Sequence, residues 1–545
     1  LRPDLAPAVS ALAGVLAEIG RLDDAAGFYA RAAQLSPDSA EAHNNLGNLM
    51  MRMHRGAEAV AAYREAVRVA PGNAAACTNL GSALRDLGQF QEALVYLRRA
   101  VEIEPGVAAA QYNLGALLLE QAQAADAEAC FRRTLELEPR FLVAYTGLAM
   151  ALRQQGRKRD GEAACRRSLD LEPANPAALA LLADFVGDRA EYAEAEKLLR
   201  RAIEIDPDMP EALAGLVRFR RMGPADDGWM VAAQRLLDRG LPVRQEIALR
   251  FAAGKFHDDR GEADDAIDHF RRGNELRRRA APPYDAQRHR AQLDARIAQC
   301  TRAWMESWAP RERSPLGPVF AVGMPRSGVS MVAQMLDAHP AARSAGELQF
   351  WVRAAAELES GGKPTDYGAR YLRLLARREP RVRRMVDSMP ANFGHLGLIH
   401  ACLPDARFIH VRRHPADTCL AVYFQNFTTT LPWASDPADI VAFHRQYQRM
   451  MVHWREQLPA GTMLEIDFED LAQDAERALR SVLDFLELPW EESCLRFHQP
   501  RAAADGTRHW QLTAPIGALE VGRWQRYRAH LGPILELLSP GDAAG

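Results

Sequence analysis

Val319-Phe320-Ala321-Val322-Gly323-Met324-Pro325-Arg326-Ser327-Gly328-Val329-Ser330, running on to Pro340, is the stretch that decides the reading of this chain. An apolar run fit for a buried strand, Val319 to Val322, enters a turn built on Gly323, Pro325 and Gly328. An amphipathic helix ending near Ala338 is expected to follow. The first N–H groups of such a helix have no intrahelical partner, and its dipole adds positive potential. Strand, glycine-containing loop and helix start together form an anion site, most often for phosphate. Arg326 adds a cation there, and Ser327 and Ser330 add hydroxyls. A nucleoside-triphosphatase loop would place Lys and then Ser or Thr directly after the second glycine. Here Val329 and Ser330 follow Gly328, and the cation precedes it. The alternative is a strand-to-helix turn that holds no ligand.

At 545 residues the chain is too long for one core, so two or more domains are expected. The net charge of −3 gives no global pull toward nucleic acid or an anionic membrane. No apolar run is long enough to span a bilayer and no secretory signal opens the chain. The first residue is Leu1 rather than Met, so a truncated N-terminus is expected. Cysteines 77, 130, 165, 300, 402, 419 and 494 are scattered without metal-ligand spacing. Free thiols in a reducing cytoplasm, and no metal, are the simplest expectation.

Upstream, prolines recur at 37, 71, 105, 139, 173 and 207, every 34 residues. Leucines keep that period at 12, 46, 80, 114, 148, 182 and 216, and small residues at 25, 59, 93, 127, 161 and 195. This is the signature of tetratricopeptide repeats, each a pair of antiparallel helices. The small residue lets the helices approach, leucine and an aromatic (Tyr29, Tyr63, Phe131) fill the space between, and the proline ends the second helix. Six clear copies give an α-solenoid over 1–209 whose concave face is expected to bind a protein or peptide. Asn45, Asn79 and Asn113 share one repeat position and could bond the backbone of an extended guest. Alternatively they bond only their neighbours. The ladder resembles that in the repeats of O-linked N-acetylglucosamine transferases. Residues 210–310 read as degenerate repeats and connecting helices. Leu249 to Asn274 forms a repeat-like pair turning at Gly261, and a helix is expected over roughly 286–308.

From 311 onward strands and helices alternate, as in a parallel sheet covered on both faces. Candidate strands are Val319–Val322, Met385–Val386, Phe408–Val411 and Met463–Ile466. The loop is joined by Val386-Asp387-Ser388-Met389-Pro390, by Arg412-Arg413-His414-Pro415-Ala416-Asp417, by Asp467-Phe468-Glu469-Asp470-Leu471, by Gln511 to Pro515 and by Gly522-Arg523-Trp524. In order and spacing these segments resemble bacterial sulfotransferases fused to tetratricopeptide repeats, and more distantly the tyrosylprotein sulfotransferases.

The resemblance implies a P-loop-like three-layer α/β domain over 311–545. It implies transfer of a sulfuryl group from 3'-phosphoadenosine 5'-phosphosulfate to an acceptor hydroxyl, tyrosine or another protein group, without a metal. Arg326, Ser327, Gly328, Val329 and Ser330 would hold the donor's 5' end. Arg413 would hold the 3'-phosphate, a planar guanidinium being suited to bidentate bonding. The alternative for Arg413 is an ion pair with Asp417 at i+4. Glu347 matches the position of the family's catalytic glutamate. Its alternative is a first-turn glutamate on a helix from Leu348 to Leu358. His410 and His414 are alternative bases.

The pattern also breaks. The catalytic position 388 carries Ser388 where the family has lysine. Ala421, Val329, His414, Phe468, Arg508 and Thr513 replace further expected residues. Either Arg326 and Arg508 supply the missing charge, or the site binds donor weakly, or the domain is a catalytically degenerate module on a protein-binding scaffold. The arginines 370, 373, 377, 378, 381, 383 and 384 form either a solvated face or an attraction for an acidic acceptor. Nothing after 310 resembles a sugar-nucleotide site, and the missing loop lysine disfavours a kinase.

Overall fold

A computed structural model describes residues 5–308, 317–377, 382–427, 431–497 and 521–538. Two compact units emerge, Leu1–Phe185 and Val186–Gly545. Arg378, Arg381, Arg508 and the segment Gln511 to Pro515 lie outside the described residues.

The first unit is built of helix pairs at the 34-residue period, such as Ala40–Arg52 with Gly56–Val69 and Ala74–Asp86 with Phe90–Ile103. Ala25, Ala59, Ala93 and Ala127 are fully buried, which is what close approach within a pair requires. The glycine after the repeat leucine serves the same contact: a Cβ on Gly47 would lie 2.5 Å from the Tyr63 ring. Each second helix ends two residues before the periodic proline, as Leu35 does before Pro37.

In the second unit the helices Val243–Arg260 and Ala263–Ala280 form the expected repeat-like hairpin, with Gly261 left-handed at the turn (φ +81°). The single helix expected over 286–308 is two, Ala286–Gln299 and Arg302–Trp308. Beyond them lies a five-stranded, all-parallel sheet of order β2-β3-β1-β4-β5. The strands are β1 Pro318–Val322, β2 Ala342–Gly346, β3 Arg384–Asp387, β4 Arg407–Arg412 and β5 Met463–Asp467.

Alternation along β1 divides the core. Val319 and Ala321 pack on one face with the helices Val329–Asp337 and Ala475–Phe485. Phe320 and Val322 pack on the other. That second core also holds Ile247, Phe251, Ile267 and Phe270 of the hairpin, and Phe270 stacks on Phe424 at 4.0 Å between centroids. No helix among the described residues is long and apolar enough to cross a membrane.

The sheet order fixes where a ligand can sit. From β1 the chain crosses to β2 and β3 on one side, then to β4 and β5 on the other. The carboxyl ends of β1 and β4 therefore flank the point where the winding reverses, the favoured crevice in open parallel sheets. The loop after β1 carries Arg326, and the turn after β4 carries Arg413.

Candidate active site

The β1 loop is shaped by close approach. A Cβ on Gly323 would meet the Val411 carbonyl oxygen at 2.5 Å, and one on Gly328 would meet the Phe468 ring at 2.5 Å. Gly328 is also left-handed (φ +106°) and caps the helix Val329–Asp337. Arg326 is left-handed as well (φ +72°), a conformation that costs a non-glycine residue of the order of 1–2 kcal/mol. Such strain persists where the surroundings fix it, often at functional sites.

Around this loop three guanidinium groups crowd together. Arg413 Nη1 donates to the Arg326 carbonyl at 3.3 Å, and its guanidinium lies 4.6 Å from the centre of the Phe468 ring. Burial first, then the positive charges of Arg413 and Arg523, push the Arg326 pKa down to about 10, while Glu347 acts the other way. The Arg326 Nε and the Ser327 Oγ are buried and bond nothing among the described residues. Buried polar groups without partners are costly, and three like charges repel. An anion resting on the helix N-terminus would satisfy both.

Glu347 lies near enough to Arg326 for their charges to interact. Desolvation of its carboxyl raises its pKa above the ordinary range, with the charge of Arg326 opposing. The first-turn alternative for Glu347 fails. The following helix is Phe350–Glu359 with Gln349 as its cap, so Glu347 lies ahead of it. Its place is set by Asp387 at the end of β3. This fully buried carboxylate accepts from the Leu348 amide (3.4 Å), the Met389 amide (3.0 Å) and the Tyr371 hydroxyl (2.9 Å). Burial pushes its pKa up to about 7. Ser388 is buried beside it, its amide donating to the Gly346 carbonyl at 3.0 Å. Position 388 thus carries neither charge nor reach.

Arg413 and Asp417 do meet, at 3.8 Å. The same carboxylate accepts from the amides of Gly522 (2.7 Å) and Trp524 (2.8 Å). Asp417 therefore latches the Gly522-Arg523-Trp524 segment onto the helix that follows Arg413. The Trp524 ring lies parallel to that of His414, 5.3 Å away. His410 is bonded through one ring nitrogen to Glu465 (2.7 Å) and through the other to Tyr447, which leaves neither for a substrate. Arg523 and Asp387 carry no role in the sequence reading. Their signal was their place inside motifs already singled out.

Elsewhere, Arg370 pairs with Glu357 (2.8 Å), and Arg384 is buried with its Nε on the Leu486 carbonyl. Asn79 Nδ2 donates to Asn44 Oδ1 (2.9 Å), and Asn113 Nδ2 to the Ala109 carbonyl (2.9 Å). These two amides have neighbours to bond, while Asn45 on the same face of its repeat is half-buried. Among the described residues, one group that could hold a metal is His257, Glu262 and Asp265, whose ligand atoms lie within 4.8 Å of one another. Glu262 there is already engaged by Arg260 at 2.8 Å. None of the seven cysteines is in a disulfide.

Residues 318–367 and 357–492 match the sulfotransferase family. Residues 38–104, 84–150 and 146–210 match tetratricopeptide repeat families. An uncharacterized protein of Aquifex aeolicus (strain VF5) is 28% identical over 58% of this chain, a stretch covering 44% of that protein's length. Protein-tyrosine sulfotransferase 1 of Danio rerio is 23% identical over 40% of this chain and 71% of its own. Protein-tyrosine sulfotransferase A of Caenorhabditis elegans is 21% identical, over 33% of this chain and 52% of its own. Repeat period, parallel sheet and these likenesses agree: the chain joins tetratricopeptide repeats to a domain of the sulfotransferase family.

Proposed function

We propose that this chain transfers a sulfuryl group from 3'-phosphoadenosine 5'-phosphosulfate to the hydroxyl of a protein or peptide, tyrosine being the residue its named relatives suggest. The observation that carries this reading is the gathering of Arg326, Arg413 and Arg523 at a helix start, with a buried, unsatisfied Ser327 hydroxyl beside them and Glu347 within reach of the Arg326 charge. A donor phosphorylated at both ends needs two cationic sites. The residues 326–330 suit the 5' end and Arg413 the 3'-phosphate.

Glu347 accepts the acceptor's proton as the acceptor oxygen bonds to sulfur. The bond from sulfur to the 5'-phosphate oxygen breaks, and the negative charge left on that oxygen stays at the loop. With Ser388 unable to neutralise it, Arg326 is the cation assigned to that task. Its depressed pKa keeps it charged at neutral pH while reflecting the crowding that an anion relieves. The repeat array, through its concave face and Asn45, Asn79 and Asn113, is the proposed holder of the protein partner.

A second reading has one observation in its favour. The buried, neutral Ser388 replaces a cation, as a domain that has kept its fold and lost turnover would allow. Calorimetric titration with adenosine 3',5'-bisphosphate is the test. Binding in the micromolar range supports a donor site, and no heat at high micromolar refutes it. Binding with no sulfate transfer to phenols or tyrosine peptides favours the degenerate module.

A further inference from the structure

Arg523 is held from outside the sheet's own elements. Asp258 lies on the helix Val243–Arg260 of the repeat-like hairpin and is 7% exposed. Its Oδ1 accepts from Arg523 Nε at 3.2 Å and from the Tyr527 hydroxyl at 2.6 Å, and its Oδ2 accepts from Arg523 Nη2. Arg526 approaches it to 3.8 Å. The other grip on this segment is Asp417, through the Gly522 and Trp524 amides. Two carboxylates from distant parts of the sequence thus fix residues 522–527. Asp417 sets the backbone beside Arg413. Asp258 sets the side chain through a two-bond fork, which defines the plane of a guanidinium as one contact cannot.

We propose that Asp258 is a positioning residue for the donor site: the repeat-like hairpin orients Arg523 toward the loop and thereby sets the affinity for the donor's phosphates. This rests on the donor-site reading above. The hairpin's placement supports it independently, because Phe270 and Phe251 belong to the core beneath the sheet and Asn274 Nδ2 donates to the Tyr423 carbonyl at 2.8 Å. The hairpin is a wall of the same unit, so Asp258 has a rigid base from which to hold Arg523.

Charge and position predict opposite signs. Removing a negative charge near a cationic site strengthens binding of any anion. Releasing Arg523 weakens binding, because its freedom must then be lost when the ligand arrives. In the full chain, Asp258→Asn is expected to weaken adenosine 3',5'-bisphosphate binding about tenfold or more, the range of one charge-assisted hydrogen bond. Asp258→Glu keeps the charge and displaces the fork, and is expected to weaken binding as well. In an Arg523→Met background neither change should matter further. Equal or tighter binding by both Asp258 variants, or losses that persist without Arg523, would overturn the proposal. Hydrogen exchange separates this from the donor reading. If the wild-type chain binds no bisphosphate, the donor reading falls. Faster exchange in 521–531 of Asp258→Asn, with 6–171 unchanged, would still uphold the positioning role, and unchanged exchange would remove it.

Discussion

At the scale of single residues, two carboxylates with raised pKa values have opposite uses. Glu347 must be ionised to take a proton, and its pKa is raised chiefly by burial. Transfer should therefore rise with pH through an inflection above the ordinary glutamate range of about 4.3. Glu347→Gln should leave bisphosphate affinity within about twofold while lowering turnover by about 10²–10⁴. Unchanged turnover would remove Glu347 as the base. Asp387 is fully buried, so its ionisation bears on stability. Its folded pKa, about 7, lies above the unfolded value near 3.8. Between those values the unfolded chain has lost the proton and the native chain keeps it. Stability from this group is complete below about pH 3.8 and declines by about 1.4 kcal/mol per pH unit until about pH 7. Asp387→Asn should remove that part of the slope. Urea unfolding of both proteins at pH 5 and pH 8 measures it, and parallel pH profiles would contradict it.

At the scale of elements, the turn inside each repeat uses a left-handed residue at one position: Gly20, His54, Gly88, Ala122, Gly156 and Ala190. Glycine adopts this conformation without strain, while Ala122 does so at φ +59°. Ala122→Gly should stabilise the array by about 0.5–1 kcal/mol, the left-handed cost less the extra freedom glycine has when unfolded. Slower hydrogen exchange in 108–137 is the readout, and faster exchange would contradict it. The same reasoning shows what the sequence could reveal. Periodic prolines and leucines announced the helix pairs because each spacing repeats one packing contact. Four of the five strands were legible as apolar runs. β2, Ala-Arg-Ser-Ala-Gly, was not, because it is an edge strand paired only to β3 and needs no apolar alternation. The strand, the glycine turn and the helix start were legible in the loop, and the places of Arg326 and Arg413 at the carboxyl ends of β1 and β4 were readable from their motifs. Arg523 as the third cation was not, since it reaches Arg326 only through the Asp417 latch and the Asp258 fork.

At the scale of the whole molecule, composition shifts near 310 where helices give way to strands, but packing does not. The core beneath the sheet includes Ile247, Phe251, Ile267, Phe270 and Leu293, all under 9% exposed. Fully burying one such side chain is worth about 1.5–3 kcal/mol, so removing this group forfeits an amount comparable to the 5–15 kcal/mol that holds a domain together. Polar groups would be stranded too: the Tyr423 and Gln425 carbonyls lose Asn274 and Arg277, and Tyr527 loses Asp258. A chain cut at 311 should therefore fail to fold cooperatively, exposing Phe424 and the floor of the sheet. A chain beginning at 174, between two repeats, keeps the whole second unit and should unfold in a single thermal transition and bind bisphosphate like the full protein. Circular dichroism melts of both fragments decide the matter. A well-folded, ligand-binding 311–545 fragment would show that the hairpin is a passenger on the sheet, and a 174–545 fragment without a cooperative transition would show that the second unit depends on the repeats before it.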